Sequence, residues 1–397
     1  MLEGLKHIPW GQLQHAQGPA SDIPTLMRLL TSDIKEDREY AFYAFYGNIW
    51  HQGVVYQATP FTVPFFLALL SNPETEDKDE IALLLAHIAT GASPFENELP
   101  PYDEFPGLTL VEEQQDKEKA REWVRSARTA VAEGIDLYLQ LIASAPTELC
   151  LATSYICSKY PEHSERIVPV LYKRLAHTQD NKIKTGLLLS LRELAQSSPS
   201  AMATYATYLN DHNQLVRWAA ATCLTQLTEH EPPKEAVSTL LHTIAHPDNI
   251  SNTYLSLPWA NGDIIGDTSL FLCNLDPKIV EFAIPALVEA LHLIAPYSAL
   301  NIAYALLSIA FGEEEDGREL ETLNKRQKCV LTAILQSQNL WTINGNMFEI
   351  LETFGFPGWR DELHDFLKQR HACNIIELDQ MRKHAPPTFL TPFKATA

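Results

Sequence analysis

Apolar residues recur along this chain with the spacing of an α-helix, and this periodicity constrains the fold more than any other feature. Ile81, Leu84, Leu85 and Ile88 fall at i, i+3, i+4 and i+7, so a helix would carry them along one side. The same spacing recurs at Leu215, Ala219, Cys223 and Leu227 and at Ile302, Leu306, Ile309 and Ala310. Alternation with a period of two is scarce, and prolines mark its nearest example, residues 54–63, as a loop leading into a helix. The sequence predicts an all-α protein.

The predicted helices come in pairs, and a proline marks the start of one helix in several pairs. These starts are Ile23-Pro24, Val63-Pro64, Val168-Pro169 and Ile284-Pro285. Proline suits the first helical turn, because its missing N–H has no partner to lose there. One pair of helices cannot bury its apolar side alone, whereas stacked pairs of about 35–45 residues share a continuous core. The pattern therefore predicts an α-α superhelix, that is, a solenoid.

The clearest single unit is residues 211–227, which read DHNQLVRWAAATCLTQL. Asp211 falls in the turn between two helices, Arg217 follows it, and the small residues Ala219 and Ala220 would let helices approach closely. This segment resembles a HEAT repeat. Looser copies combine Asp33 with Arg38 and Ala41, and Asp180 with Lys184. In such a stack the turn aspartate can cap the second helix, and the basic residue can pair with turn carboxylates.

The resemblance extends over residues 21–368 and implies a solenoid of about eight HEAT-like helical hairpins. The predicted hairpins are 21–52, 60–92, 118–160, 163–197, 200–231, 234–275, 279–312 and 321–356. The predicted organisation is N-terminal helical repeats over 1–92, an acidic proline-containing loop over 93–117, HEAT-like repeats over 118–356, and a C-terminal helix and tail over 357–397. Residues 46–59, 257–263 and 308–312 are also similar to uncharacterised bacterial HEAT-repeat domain-containing proteins, a group that brings no activity with it.

Charge and composition exclude several classes of protein. Asp and Glu number 50 against 30 Lys and Arg, so the net charge is −20, which opposes binding to nucleic acid. No apolar run reaches the roughly 18 residues that cross a membrane, and the N-terminus does not resemble a secretory signal. The six cysteines form no CxxC motif, and we expect reduced thiols in a cytoplasmic protein. They are Cys150, Cys157, Cys223, Cys273, Cys329 and Cys373.

No motif in the sequence indicates catalysis. HExxH, GxSxG, P-loop and GxGxxG patterns are missing, and the 14 histidines are scattered. We therefore expect no catalytic residue, no metal and no cofactor. Some enzymes use similar repeats, namely alkylpurine DNA glycosylases and lyases that attach bilins to proteins, and these stay as alternatives. The first would need a basic groove with aromatic residues, which the charge balance opposes.

Seven residues are the predicted contact surface for a protein partner. They are Trp50, His51, Gln52, Trp218, Trp259, Asp263 and Trp341. Tryptophans near polar turns are typical of interfaces. Structural alternatives also exist: Trp50 could pack in a corner, Trp218 could pack in the core, and Asp263 could cap the helix that follows it. The sequence thus predicts a non-enzymatic scaffold whose concave acidic surface binds a protein, with a basic partner favoured by charge. An immunity-type protein that neutralises a toxin is one alternative, and the oligomeric state is left open.

Overall fold

Helices make up nearly all of the regular structure. The computed structural model describes residues 2–93, 110–194, 199–228, 231–247, 250–291, 294–312, 323–342 and 346–368. Over these residues the strands are confined to two short antiparallel hairpins. The predicted all-α class is therefore confirmed.

The chain divides into two compact units, residues 1–194 and residues 195–397. The first contains α1 (Ile23–Leu29), α2 (Lys35–Asn48), α3 (Thr59–Ser71), α4 (Lys78–Ala89), α5 (Leu110–Ala132), α6 (Ile135–Ser144), α7 (Thr147–Ser158), α8 (Ser164–His177) and α9 (Asn181–Leu194). It also contains strands β1 (Gln14–His15), β2 (Gly18–Pro19), β3 (Trp50–His51) and β4 (Val54–Val55). The boundary between the units falls within the predicted segment 118–356.

All regular structure in the described residues of the second unit is helical. It contains α10 (Pro199–Tyr208), α11 (Gln214–Leu227), α12 (Lys234–Ala245), α13 (Ser251–Leu255), α14 (Ile264–Cys273), α15 (Pro277–Val280), α16 (Ile284–Leu291), α17 (Pro296–Phe311), α18 (Lys325–Gln336), α19 (Asn346–Thr353) and α20 (Arg360–Lys368). Helix α20 falls in the predicted C-terminal segment 357–397, and the predicted tail from residue 369 onward lies outside the described residues.

Within each unit, neighbouring helices pack as stacked hairpins. In the first unit α3 packs on α4, α6 on α7 and α8 on α9, and the second helices α4, α7 and α9 pack on one another in turn. In the second unit α10 packs on α11, α12 on α14 and α16 on α17, while α11 contacts α12 and α14 contacts α17. This arrangement is that of an all-α solenoid, as the sequence predicts.

Two details of the helix starts differ from the sequence predictions. Pro24 and Pro285 lie at the beginning of α1 and α16 as expected, but Pro64 and Pro169 lie inside α3 and α8. Pro60 occupies the first turn of α3 instead. An internal proline removes one backbone hydrogen bond, and the packing of these helices against their neighbours tolerates that loss.

The predicted loop over residues 93–117 overlaps a helix at its C-terminal end. Helix α5 begins at Leu110, so the loop prediction is wrong for residues 110–117, and residues 94–109 lie outside the described part of the chain. Charged side chains in this stretch misled the prediction, because they suit an exposed helix as well as a loop. Helix α5 packs on α3 and α4.

Polar bonds connect the turns of successive hairpins. The buried Arg38 of α2 donates from Nε to Asp77, in the turn before α4, at 2.6 Å. Thr147, at the start of α7, donates to Asp180, in the turn before α9, at 2.6 Å. The partners are 39 and 33 residues apart, which is one hairpin along the chain. The expectation that a basic residue pairs with a turn carboxylate is therefore confirmed for Arg38.

The turn residues also cap the second helices. Asp180 accepts hydrogen bonds from the backbone N–H groups of Lys182 at 2.8 Å and Ile183 at 3.2 Å. Burial works against ionisation of Asp180, but the hydrogen bonds from Thr147 and from these N–H groups outweigh it and lower the pKa. In the next hairpin Asn213, not the expected Asp211, caps α11.

Most of the described cysteines are buried thiols, as expected. Cys150, Cys157 and Cys223 are buried and free, and burial raises the pKa of the half-buried Cys273 to about 11. Cys329, in contrast, is disulfide-bonded, so the expectation of a reduced thiol is wrong at that position.

We expect the substitution Asp77→Asn to lower the free energy of unfolding of the first unit by about 1–3 kcal/mol, because Arg38 would keep its burial and lose its charged acceptor. Asparagine tolerates the left-handed backbone of residue 77, whose φ is 49°, so the change tests the side chain. Urea denaturation would measure the effect. Lys35→Gln, which removes the exposed ion pair of Lys35 with Glu39, is the control and should change nothing measurable; equal effects would contradict the role of Asp77.

Candidate functional site

A tight hairpin follows α2 and carries three of the predicted contact residues. In it Trp50 lies opposite Val55 and His51 opposite Val54. Gln52 and Gly53 form the two-residue turn, both with positive φ, at 51° and 87°. Such turns match the natural twist of a hairpin and favour glycine. Gln52 is exposed at the tip and His51 is half-buried.

Trp50 packs into an aromatic cluster between α2 and α4. Its ring lies 5.7 Å from the ring of Tyr46, nearly at right angles, and 4.8 Å from the ring of His87. The indole Nε1 is enclosed and has no hydrogen-bond partner among the described residues. The side chain is half-buried, so Trp50 is a corner residue that offers one edge to the surface.

Burial favours the neutral forms of the ionisable groups around Trp50. Burial lowers the pKa of His87. Burial also raises the pKa of Tyr46, and the nearby carboxylate of Glu80 raises it further. Burial also raises the pKa of Glu80, and the carboxylates of Asp79 and Asp77 raise it further. Burial thus favours an uncharged imidazole beside the indole of Trp50, as expected for a packed corner between α2 and α4.

We expect stability to fall as the pH drops through about 6.5, the ordinary pKa of histidine, because unfolded His87 then takes up a proton that the folded protein resists. The loss should level off below the lowered pKa of the folded state. Urea unfolding of the wild type and of His87→Gln between pH 5 and pH 8 would test this. The variant should show a shallower slope of unfolding free energy against pH, and an unchanged slope would contradict the assignment.

The side of α2 that faces solvent carries two tyrosines that sequence reasoning missed. Tyr40 is 60% exposed and Tyr43 is 81% exposed, one helical turn apart, and Ile34 just before the helix is 57% exposed. Ala41 and Phe45 on the other side are buried. A helical projection of α2 would have revealed this face, because the tyrosines fall away from the apolar stripe. Aromatic side chains so exposed are typical of contact surfaces.

In the second unit, Trp218 is a core residue, and its prediction as a contact residue is wrong. It is 1% exposed, and its Nε1 donates to Oγ1 of Thr268 at 2.8 Å. The ring of Tyr254 lies 5.1 Å away, at 79° to the indole plane. Helices α13 and α14 supply these two neighbours and bury a side chain that an isolated hairpin would leave exposed.

The loop over residues 257–263 is tied down by hydrogen bonds. Asp263 caps α14, accepting from the N–H groups of Ile265 at 2.8 Å and Gly266 at 3.0 Å. Its second carboxylate oxygen, Oδ2, is enclosed without a partner among the described residues. The half-buried Trp259 precedes it in the loop. The alternative that Asp263 caps the following helix is thus confirmed.

The buried carboxylate of Asp267 also binds the backbone of this loop. Asp267 is 7% exposed and accepts hydrogen bonds from the hydroxyl of Tyr254 and from the N–H of Asn261, the latter at 3.0 Å. These bonds give partners to the buried hydroxyl of Tyr254 and to the backbone N–H of Asn261, so Asp267 stabilises the loop. Over the described residues, no three His, Cys, Asp or Glu side chains are placed to hold a metal ion.

Trp341 and an exposed stripe of α17 complete the candidates in the second unit. Trp341 ends a short 3₁₀ turn, is half-buried, and donates from Nε1 to the carbonyl of Ile334 at 3.2 Å. Tyr297 and Tyr304 of α17 are 73% and 37% exposed and lie on one side of that helix, with Asn301 between them. The residues predicted from sequence therefore fall in both units.

We expect Trp218→Ala to lower the free energy of unfolding by about 3–5 kcal/mol, since it empties a filled core position. Trp218→Phe keeps a ring and loses the hydrogen bond to Thr268, so it should cost less, about 1–3 kcal/mol. Thermal or urea unfolding of the second unit measures both. Trp259→Ala is the comparison from the surface loop, and a cost as large as that of Trp218→Ala would contradict the distinction between core and surface.

One comparison with known proteins identifies the repeat type. A family model for the HEAT repeat matches residues 202–230, which begin in α10 and contain all of α11. No curated protein matches the chain. In the part of the chain that the structure describes, every helix is too short or too polar to cross a bilayer. The match shows that residues 202–230 resemble a HEAT repeat, and the stacked helical hairpins before and after it in sequence support a helical-repeat fold.

Proposed function

We propose that this protein is a non-enzymatic scaffold that binds a protein partner through the α2 face, by which we mean the exposed side of α2 around Tyr40 and Tyr43. The observation that carries the proposal is the exposure of these two rings, 60% and 81%, on a helix whose other side is buried. Tyrosine is enriched among the residues that dominate binding energy. Helical repeats of this kind commonly serve protein interactions, which supports the proposal.

The α2 face is rigidly held, which favours binding. Arg38 anchors the start of α2 through Asp77. At the other end, the side chain of Asn48 donates to Asp22 at 2.6 Å, and its carbonyl accepts from the N–H of Ala16 at 2.9 Å. A surface fixed at both ends loses little conformational entropy when a partner docks. His51, Gln52 and the edge of Trp50 follow α2 directly and extend the proposed surface.

The remaining predicted residues take secondary places in the proposal. Trp259, Asp263 and Trp341 lie in the second unit and are half-buried, so they offer less surface than the tyrosines of α2. Trp218 is withdrawn, because its side chain is in the core. We propose a cytoplasmic location, which the free thiols of Cys150, Cys157 and Cys223 favour and the disulfide of Cys329 opposes. An immunity-type role against a toxin would be one form of the same function.

An enzymatic HEAT-like role, as a DNA glycosylase or a bilin lyase, is the alternative that ranks lower. A net charge of −20 repels a phosphate backbone, and a glycosylase needs the opposite field. The polar groups around the candidate residues are engaged in caps and loop hydrogen bonds, such as those of Asp263. These contacts account for their placement without a substrate.

We expect the double variant Tyr40→Ala/Tyr43→Ala to fold normally and to lose its partner, with the captured amount falling about tenfold or more, as for loss of a binding hot spot. Quantitative affinity capture from cells that produce the protein, with mass spectrometric identification, would measure this. Phe61→Ala on α3 is the matched control, since Phe61 is also an exposed aromatic residue, at 44%. Equal capture by the wild type and both variants would refute the α2 face.

A further inference from the structure

We infer that the α2 face binds a basic segment of the partner, with arginine or lysine side chains placed over the rings of Tyr40 and Tyr43 and among surrounding carboxylates. This inference rests on the proposed function and names the chemistry of the partner. It is carried by the exposed tyrosine rings and by the charges that surround them.

The tyrosine rings form an accessible stripe along α2. Glu36, Tyr40, Tyr43 and Gly47 fall at i, i+4, i+7 and i+11, which places them on one side of the helix. A methyl group added to Gly47 would meet nothing within 4 Å, so the stripe stays open at its C-terminal end. An extended chain could therefore follow the stripe without striking a neighbouring element at that end.

The start of α2, where Glu36 and Glu39 lie one helical turn before Tyr40 and Tyr43, and the turn before α4 are both strongly negative. Residues 33–39 and 74–80, which contain the start of α2 and the turn before α4, hold nine acidic and three basic side chains. Two of the three cations are already paired, because Lys35 lies 2.8 Å from Glu39 and Arg38 is buried against Asp77. The excess of carboxylates is thus left to solvent or to a partner.

The carboxylates are also crowded together beside α2. Asp77 and Asp79 add to burial in raising the pKa of Glu80, as expected for like charges held close together. Glu80 in turn raises the pKa of Tyr46, so its carboxylate reaches the C-terminal half of α2. A cation docked here would relieve this repulsion, and an acidic partner would increase it.

A basic side chain is the group that satisfies both features of the surface. A cation over a tyrosine face is attracted by the negative charge density of the ring, and nearby carboxylates add charge complementarity. Arginine fits best, because its planar group can stack on a ring and bond a carboxylate at once. A purely apolar partner would have to strip water from Glu36 and Glu39 without compensating for it.

The test uses the full-length protein and a short fluorescent peptide of alternating arginine and serine. Anisotropy should show binding that weakens with added salt, and no binding of the matching glutamate–serine peptide. Tyr40→Ala/Tyr43→Ala should weaken binding about tenfold, the size expected for loss of two cation–π contacts, whereas Tyr40→Phe/Tyr43→Phe keeps the rings and should keep most of the affinity. Glu36→Gln/Glu39→Gln should also weaken it.

A charge-matched control separates a defined surface from diffuse attraction. Glu133→Gln/Glu165→Gln removes two exposed carboxylates, one in the turn after α5 and one in α8, and should leave the affinity nearly unchanged. The inference is overturned if this control weakens binding as much as Glu36→Gln/Glu39→Gln, or if the tyrosine-to-alanine variant binds like the wild type. Partner capture that depends on the α2 face, without any binding of the arginine peptide, would leave the proposed function standing and reject the basic partner.

Discussion

No helical pair in this chain can bury its apolar side by itself, and the rest of the structure depends on that constraint. The second helices show it most clearly: residues 183–191 of α9 and 218–225 of α11 are buried without interruption. A helix enclosed on every side needs neighbours before and after it in the stack. Stability therefore comes from contacts between pairs rather than from any single pair, as expected for repeat proteins.

Hydrogen bonds follow the same repeat. Besides the Arg38–Asp77 pair, Lys159 bonds Glu193 at 2.7 Å, and the hydroxyl of Ser190 donates to the carbonyl of Ser154 at 3.1 Å. Each bond spans roughly one hairpin of sequence, so polar groups on one pair find partners on the next. These bonds give partners to polar groups that the stack buries, such as the hydroxyl of Ser190. The capping and pairing residues of the turns are thus part of the packing, and the surface outside them is left for other uses.

The sequence was enough to predict the class, the pairing of helices and several caps. Apolar spacing around Ile81 and Leu84 translates directly into buried positions, because helix geometry alone sets that correspondence. Asp263 was expected as a cap, since a polar residue before an apolar helix has few other places to bond. The burial of a side chain by helices of the next repeat cannot be predicted from the spacing within one helix. The sequence predicts Trp218 as a contact residue, whereas the structure shows that α13 and α14 bury its side chain.

Other failures also have physical causes. The turn at Gln52 and Gly53 joins two strands of only two residues each. Strands this short show no recognisable alternation of apolar and polar residues, so the sequence does not predict the hairpin. Pro64 and Pro169 were expected at helix starts, but tertiary packing outweighs the one backbone bond that each removes. Tyr40 and Tyr43 are missed because tyrosine suits a core and a surface equally well, so residue type alone gives no signal and only their position away from the apolar stripe of α2 marks them as exposed.

The bond from Arg38 to Asp77 has a consequence for how such a chain can change its length. The turn before α4 supplies the acceptor for Arg38, and the turn before α9 supplies the acceptor for Thr147, each one hairpin later in the chain. Excision or insertion of a whole hairpin keeps this spacing between donors and acceptors, whereas a partial hairpin does not. Removal of half a hairpin would instead deprive the buried guanidinium of Arg38 of its carboxylate and leave it only the carbonyl of Ser32, at a cost of about 3–5 kcal/mol. Growth and shrinkage of the array by complete units is therefore the route that polar bonding permits.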